Sequence, residues 1–283
     1  MKTYVLYNKY SGNNEGLNRT QKVKEIWKDR DLVFTDMTET VYSDFLPSLA
    51  EDDVLLICGG DGTVNRFIND TDGLEIRNDV YLFPTGSGND FLRDLGWKEG
   101  DGPKKINEYI RDLPLATVKG KSYRVLNGVG YGIDGYCCEE GDKLRAQAPG
   151  KEINYAGIAI KGLLFHYKPT NATVIVDGKE FKYEKVWLAP TMNGRFYGGG
   201  MMATPSQKRL GKDRKLSCLI WFGSGKLPTL IAFPGIFKGE HIKHTKTTKI
   251  HEGKEITVRF DRPAPLQIDG ETITGVSEYT IKL

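Results

Sequence analysis

Residues 53–68, DVLLICGGDGTVNRFI, join a run of apolar residues to paired glycines, a carboxylate and a threonine, and then to the spacing of a helix. A continuous apolar run this short, bounded by glycine, reads as a buried strand, and the pattern from Val64 reads as the helix that follows. Glycine lets the main chain approach a ligand closely, and a helix N-terminus presents N–H groups to an anion. Outward from this stretch the same alternation repeats. Strands are predicted at 3–7, 32–34, 53–58 and 80–84, with amphipathic segments at 21–28, 43–50, from Val64 onward and at 106–113. Short strands alternating with helices predict a mainly parallel sheet covered by helices, with ligands at the carboxyl ends of the strands.

Three loops fall at those ends: Asn8 to Gly12 (NKYSG), Gly59 to Thr63 (GGDGT) and 86–90 (GSGND). The first and third are each compatible with an ordinary turn. GGDGT is more specific, because its carboxylate and threonine hydroxyl suit a magnesium-bound phosphate. Two competing phosphate motifs fail. Gly120-Lys121-Ser122 imitates the end of a P-loop, but Leu115 stands where the earlier glycine is needed. Residues 128–132, GVGYG, have Ile133 where a dinucleotide fingerprint needs its third glycine, so they read as a close strand approach.

From about Tyr123 strand-like runs follow one another, which predicts an all-β domain. Residues 172–176 and 182–189 flank Asp177-Gly178, a strong hairpin signal, and further strands are expected at 216–222, 255–260 and 266–268. Residues 227–238 are apolar and helix-like.

The chain has 283 residues, enough for two ordinary domains. A net charge of +3, from 40 Lys plus Arg against 37 Asp plus Glu, is too balanced for a nucleic-acid binder. Neither an export signal nor a membrane-spanning segment is expected, so membrane contact would be peripheral. The four cysteines have no CxxC spacing and read as reduced thiols.

These motifs together resemble the diacylglycerol kinase catalytic family, in the bacterial form related to sphingosine-type lipid kinases. The resemblance runs from Asn8 to Gly12 through GGDGTVN at 59–65, PTGSGNDF at 84–91, NGVGYGIDG at 127–135 and Gly198 to Met201 before Pro205, to IDGE at 268–271. It implies an α/β nucleotide-binding domain over 1–122, completed by 272–283, and a β-sandwich domain over 123–271. It implies ATP as phosphate donor, held by Asn8, Ser11, Gly12, Thr35, Gly59, Gly60, Asp61, Gly62, Thr63, Asn65, Ser87, Gly88 and Asn89. Mg2+ would lie near Asp61 and Asp90. Catalysis would fall to Asp61, Asp269 and Glu271, with Asp269 as the base, although Asp-Gly-Glu after a strand is by itself an ordinary turn.

Four positions depart from the family pattern. Arg66 stands where Glu is usual, Ala116-Thr117 where an Asp is common, Lys9 where Pro is usual, and DRKLS at 213–217 where an acidic turn can hold a structural magnesium. No metal is assigned to that last turn, and Lys9 is expected to bring a charge toward the phosphates. The acceptor expected is a membrane lipid hydroxyl, diacylglycerol first, in phospholipid biosynthesis. A cytoplasmic protein would meet it at an anionic membrane surface, through Leu227, Leu230, Ile231, Phe233, Ile236 and Phe237 and the basic flank Lys238, His241, Lys243, His244, Lys246 and Lys249. A core helix with a solvated basic end explains the same residues equally well. No nucleic-acid partner is expected, and a homodimer is left open. Two rival readings are a soluble-substrate kinase of the NAD kinase type and a non-catalytic lipid or nucleotide sensor.

Overall fold

The computed structural model describes residues 1–11, 15–86, 88–148 and 153–283, the side chain of Ala156 aside. The chain divides into two units, Met1–Asp112 and Leu113–Leu283.

In the first unit, strands β1 (Lys2–Tyr7), β2 (Asp31–Asp36), β3 (Val54–Gly59), β4 (Asp79–Pro84) and β5 (Lys104–Lys105) form one sheet in the order β2-β1-β3-β4-β5. All pairs are parallel except β4 with β5. β3 is buried along its whole length, as a central parallel strand covered on both faces should be, which explains its unbroken apolar run. Register sets Tyr7 beside Cys58 and Cys58 beside Phe83, so β1, β3 and β4 release their loops at one sheet edge. The helices are α1 (Gly16–Thr20), α2 (Val23–Ile26), α3 (Tyr42–Phe45), α4 (Asp61–Asp70), α5 (Asp90–Asp94) and α6 (Asn107–Ile110). Of the segment 21–28 only Val23–Ile26 is helical, preceded by the separate helix α1. The Thr20 hydroxyl donates to the Leu17 carbonyl and the Gln21 N–H to that of Asn18, closing α1 with tight local bonds before α2 begins.

In the second unit the strands are β6 (Leu115–Val118), β7 (Lys121–Arg124), β8 (Gly128–Tyr131), β9 (Thr170–Val176), β10 (Lys179–Val186), β11 (Thr191–Met192), β12 (Phe196–Tyr197), β13 (Met201–Met202), β14 (Leu216–Trp221), β15 (Thr248–Gly253), β16 (Glu255–Ile268) and β17 (Glu271–Lys282). The main sheet runs β15-β14-β11-β8-β16-β17-β6-β7, with β9 pairing β16 and β10 pairing β9. Register in β16 breaks between Arg259 and Ala264, around Pro263, which has no N–H to donate. Before the break β16 pairs with β9, and after it with β8. The core at this bend includes Tyr131 stacked on Phe260 at 3.8 Å between ring centroids.

Two expectations change here. Residues 272–283, expected to complete the first unit, form β17, which pairs with β16 and with β6 and so belongs to the second unit. Because β6 and β7 join the same sheet, the division falls after Asp112 and not after residue 122. The second unit, built mainly of strands as expected, also carries α7 (Ile133–Gln147), α8 (Tyr155–Lys161) and α9 (Lys226–Ala232). Helix α7 has only a short apolar set, Ile133, Tyr136 and Cys137, and makes other close contacts through glycines. A Cβ at Gly135 would lie 2.1 Å from the Pro265 carbonyl oxygen, and one at Gly141 would lie 2.7 Å from the Tyr155 ring.

The apolar stretch 227–238 divides between core and surface. Ile236 is buried, and Leu230 and Phe233 pack against the cluster containing Trp187 and Trp221, while Leu227, Ile231 and Phe237 are exposed. His241, expected on a basic surface, is fully buried, with its ring stacked on Trp221 and Nε2 against the Ala203 carbonyl. Among the described residues no helix is long and apolar enough to cross a membrane.

Candidate active site

In the first unit the GGDGT loop and the loop after β4 are fastened to one another. The Asp61 N–H donates to the Gly88 carbonyl at 2.8 Å, and the Thr85 N–H to that of Gly59 at 3.3 Å. The Asp61 carboxylate accepts the N–H of Asp90 on Oδ2 at 2.8 Å and that of Phe91 on Oδ1 at 3.1 Å, which are the first N–H groups of α5. Asp61 therefore caps a helix that begins 29 residues later, a role in which a carboxylate also meets the positive end of the helix dipole. The carboxylate thus has a structural role beside the magnesium and catalytic roles expected of it. Asp90 is buried and lies 3.7 Å from the Arg93 guanidinium. Asn89 donates Nδ2 to the Gly86 carbonyl, while its buried Oδ1 has no hydrogen-bond partner among the described residues. Thr63 and Asn65 are buried on α4, and Ser87 lies outside the described residues.

The glycines of these loops separate into two kinds. A Cβ at Gly59 would fall 2.2 Å from the Thr63 hydroxyl and one at Gly60 2.4 Å from the Gly88 carbonyl, so the chain itself demands glycine there. A Cβ at Gly62 would meet nothing within 4 Å, and one at Gly88 only an Asp61 oxygen at 3.9 Å. Neither has a positive φ. The polypeptide does not explain glycine at these two positions, whereas a phosphate drawn close to the main chain does. By this test the loop pair fits a nucleotide phosphate.

The loop after β1 is a tight turn. The Asn8 carbonyl accepts the Ser11 N–H at 3.0 Å and the Ser11 hydroxyl at 2.8 Å, and Asn8 Oδ1 accepts the Tyr10 N–H at 2.9 Å. Gly12 lies outside the described residues. Lys9 is not a bare charge. Its ammonium is 3.3 Å from Asp36 and also bonds Glu39, and Glu39 as hydrogen-bond partner holds the ammonium above its ordinary range. Thr35 is the residue of β2 next to Asp36 and pairs in register with Leu6 of β1.

In the second unit Asp269 and Gly270 are the two residues of a hairpin turn between β16 and β17, with φ of 48° and 97°. Two positive φ values define the type I′ turn that Asp-Gly favours. The Asp269 carboxylate reaches out of this turn to the segment before β8. Oδ2 accepts the Leu126 N–H at 2.6 Å, and Oδ1 accepts those of Asn127 at 2.7 Å and Gly128 at 3.0 Å. Three of the carboxylate's roughly four acceptor sites are thus engaged by the main chain. The held segment is fastened further by the buried Arg209, whose guanidinium donates to the Leu126 carbonyl and to Asn127 Oδ1, each at 2.5 Å. Asn193 adds Nδ2 to the Leu126 carbonyl at 3.0 Å. Glu271, the other candidate base, is exposed at the first position of β17.

Arg209 and Asn193 were not anticipated, because no local pattern links them to residues 126–128 and 269. Nor was Asp134, buried at the start of α7. Its Oδ1 accepts the Gly135 N–H, while Oδ2 has no hydrogen-bond partner among the described residues. The Tyr197 hydroxyl approaches closely enough to favour the carboxylate but makes no bond of ordinary geometry. Burial dominates and pushes Asp134 up to about 6. Asp134 Oδ2 and Gln267 Nε2 both crowd the Gly130 Cα, where a Cβ would lie 2.2 and 2.3 Å from them, and Gln267 Oε1 accepts the Gly270 N–H at 2.7 Å.

The departures from the family pattern are absorbed locally. Arg66 pairs with Asp70 one helical turn on, Ala116 is a core residue, Thr117 bonds Ser122 across the β6–β7 hairpin, and Asp213 is exposed.

Comparison with known proteins agrees with this architecture. The diacylglycerol kinase catalytic domain matches residues 2–118, and the YegS C-terminal NAD kinase beta sandwich-like domain matches 127–280. A Bacillus subtilis protein named "Putative lipid kinase YtlR" is 26% identical over 254 residues, covering 80% of this chain and 76% of its own. A Mycobacterium tuberculosis protein named "Diacylglycerol kinase" is 26% identical over 199 residues, covering 68% of this chain and 62% of its own. A crystal structure titled as a putative diacylglycerol kinase from Bacillus anthracis has a TM-score of 0.70 at 20% identity, covering 99% of this chain and 91% of that one. The chain is a member of the diacylglycerol kinase catalytic family, in the form that carries a YegS-type β-sandwich-like domain after the catalytic one.

Proposed function

We propose that the protein is an ATP-dependent lipid kinase that transfers the γ-phosphoryl group to the hydroxyl of a membrane lipid, converting diacylglycerol to phosphatidic acid. The observation that carries the reading is the loop pair at 59–63 and 86–90, where Gly62 and Gly88 leave main chain open to a phosphate beside a helix N-terminus capped by Asp61. Family membership supplies the reaction class.

Asn8, Ser11, Gly12, Thr35, Asn65, Ser87 and Asn89 would complete the nucleotide contacts. Mg2+ would accompany the triphosphate and neutralise charge on its β- and γ-oxygens. Asp61 and Asp90 are the carboxylates of this loop pair that would face it. In the transfer the acceptor oxygen forms a bond to the γ-phosphorus, the bond from that phosphorus to the β–γ bridging oxygen breaks, and ADP departs with the electron pair. The acceptor proton passes to a carboxylate of the turn at Asp269 and Glu271. The lipid would be met at an anionic membrane surface by a protein peripheral to it.

Gly62→Ala tests the phosphate site. No chain atom opposes the methyl group and alanine favours a helix, so the melting temperature should hold or rise, while affinity for ATP should fall at least tenfold. Unchanged ATP binding in this variant would place the phosphates elsewhere. A radiolabelled ATP assay on detergent-dispersed diacylglycerol, sphingoid base and NAD, with and without Mg2+, tests the acceptor. Label in phosphatidic acid is expected, and label in NAD alone would favour the soluble-substrate reading.

A further inference from the structure

Among the described residues, the two most exposed large hydrophobic side chains are Ile231 at 72% and Phe165 at 71%. They lie 66 residues apart in sequence, yet their elements are joined, since Lys226 at the start of α9 donates its ammonium to the Leu164 carbonyl at 2.8 Å. Each is displayed by a fold that buries its neighbours. In α9, Thr229 and Leu230 face inward, while Leu227 and Ile231, one helical turn apart, face out. Residues Gly162–His166 form a single π-type turn that buries Leu163 and turns Phe165 to solvent. Phe237 lies in the 3₁₀ segment Phe233–Lys238 that follows α9 and is also exposed.

The charge within the segments that carry these residues has one sign, with Glu240 directly after the second of them and its side chain against Gly235. Between 153 and 170, and again between 223 and 239, there is no Asp or Glu, whereas Lys161, Lys168, Lys226 and Lys238 all occur there. In a chain with nearly equal numbers of cations and anions, two adjoining segments of cations alone are a local bias that composition does not supply. A protein interface has a polar rim with no required sign of charge. An anionic bilayer instead combines a uniformly negative surface with an apolar layer beneath it, and each lysine brought near it contributes about 1 kcal/mol.

We propose that Phe165, Leu227, Ile231 and Phe237 form a docking surface that enters the interfacial layer of an anionic membrane, with Lys161, Lys226 and Lys238 on the lipid phosphates. The surface deepens the lipid-kinase reading by stating how the protein reaches its acceptor. Its geometry is independent of that reading.

The test is co-flotation of the full chain with vesicles of phosphatidylcholine alone and of phosphatidylcholine with 30% phosphatidylglycerol, at low and high salt. Binding to the anionic vesicles is expected, weakened by salt. Lys161→Glu with Lys238→Glu should weaken it by roughly thirtyfold or more at low salt and leave the neutral vesicles unaffected. Phe165→Ser with Ile231→Ser should weaken it by at least tenfold at both salt concentrations, with the melting temperature unchanged because both side chains already face solvent. Failure of the parent protein to float, or equal flotation of parent and variants, would overturn the proposal. So would a fall of the serine variant from dimer to monomer with flotation intact, which would make the patch a self-association surface. Activity on a short-chain, water-dispersed diacylglycerol is measured in parallel. Flotation as expected without kinase activity would retain the docking surface and overturn the kinase reading, and activity with flotation insensitive to the variants would do the reverse.

Discussion

Two Asp-Gly turns in the second unit, Asp177-Gly178 and Asp269-Gly270, begin from the same two residues and arrive at the same backbone. Both aspartates have φ of 48°, and both glycines are positive, at 84° and 97°. Each turn joins consecutive antiparallel strands, and each aspartate carboxylate accepts main-chain N–H groups from a distant segment: Asp177 from Lys254 and Glu255 at 2.9 Å, Asp269 from Leu126, Asn127 and Gly128. Capture of N–H groups by a hairpin aspartate is therefore turn chemistry and not in itself a sign of catalysis. The difference lies behind the captured segment. At Asp177 it is an exposed strand end, while at Asp269 it is a bend held from its other side by the buried Arg209 and by Asn193. A buried network loses more when one member fails, because the groups left behind have no water to turn to.

The largest effect is expected at Asp269. Asparagine there keeps the shape but exchanges an accepting oxygen for an NH2 group that must face an N–H donor, so Asp269→Asn is not the silent change its shape suggests. Turnover should fall by about 100- to 10,000-fold if the carboxylate is the base. Stability should also fall by about 1–3 kcal/mol from an unsatisfied donor, read from urea unfolding. Glu271→Gln separates the two effects, since Glu271 is exposed and its exchange should leave unfolding unchanged. If only Glu271→Gln slows the single-turnover step without loss of stability, Glu271 is the base and Asp269 is the clamp that positions it.

Next in size is a pH effect at Asp134, which shares the surroundings of Gly130 with Gln267 and through it the Gly270 N–H. The native state holds this proton up to about pH 6, whereas the unfolded chain releases it near 3.8. The contribution is present below the lower value, is lost as pH rises through that window, and stays lost above it. The difference corresponds to on the order of 3 kcal/mol. Asp134→Asn should keep the bond from the Gly135 N–H and gain stability relative to the parent as pH is raised from 4 to 7. A constant difference between the two proteins over that range would mean that Asp134 does not bind its proton more tightly in the folded state.

The smallest effect is expected at Asp177. Asp177→Ala should cost about 1 kcal/mol, roughly 2–4 °C in melting temperature, and leave kinase activity unchanged. An activity loss comparable to that of Asp269→Asn would break the comparison, since both turns would then bear on the site.

Much of the fold could be read from sequence because its signals are local. Apolar runs at 53–58 and 80–84 mark central parallel strands, and Asp-Gly accepts the positive φ values of a type I′ turn whatever surrounds it. The glycine loops were legible for the same reason, since chain direction alone puts them at strand ends. Four things were decided only by tertiary structure. Helix α7 was hidden because its apolar set is short and glycines carry its contacts with Pro265 and Tyr155. The last strand joined the second unit because β6 and β16 offered it open edges. Asp61 became the cap of α5, and Leu227, Ile231 and Phe237 were left outside while Leu230, Phe233 and Ile236 went in. In each case the outcome depends on a partner far along the chain, as when Asp269 meets Leu126 across 143 residues. Steric preference acts between neighbours in sequence and is written there, whereas burial and hydrogen-bond pairing act between neighbours in space, which exist only once the chain has folded.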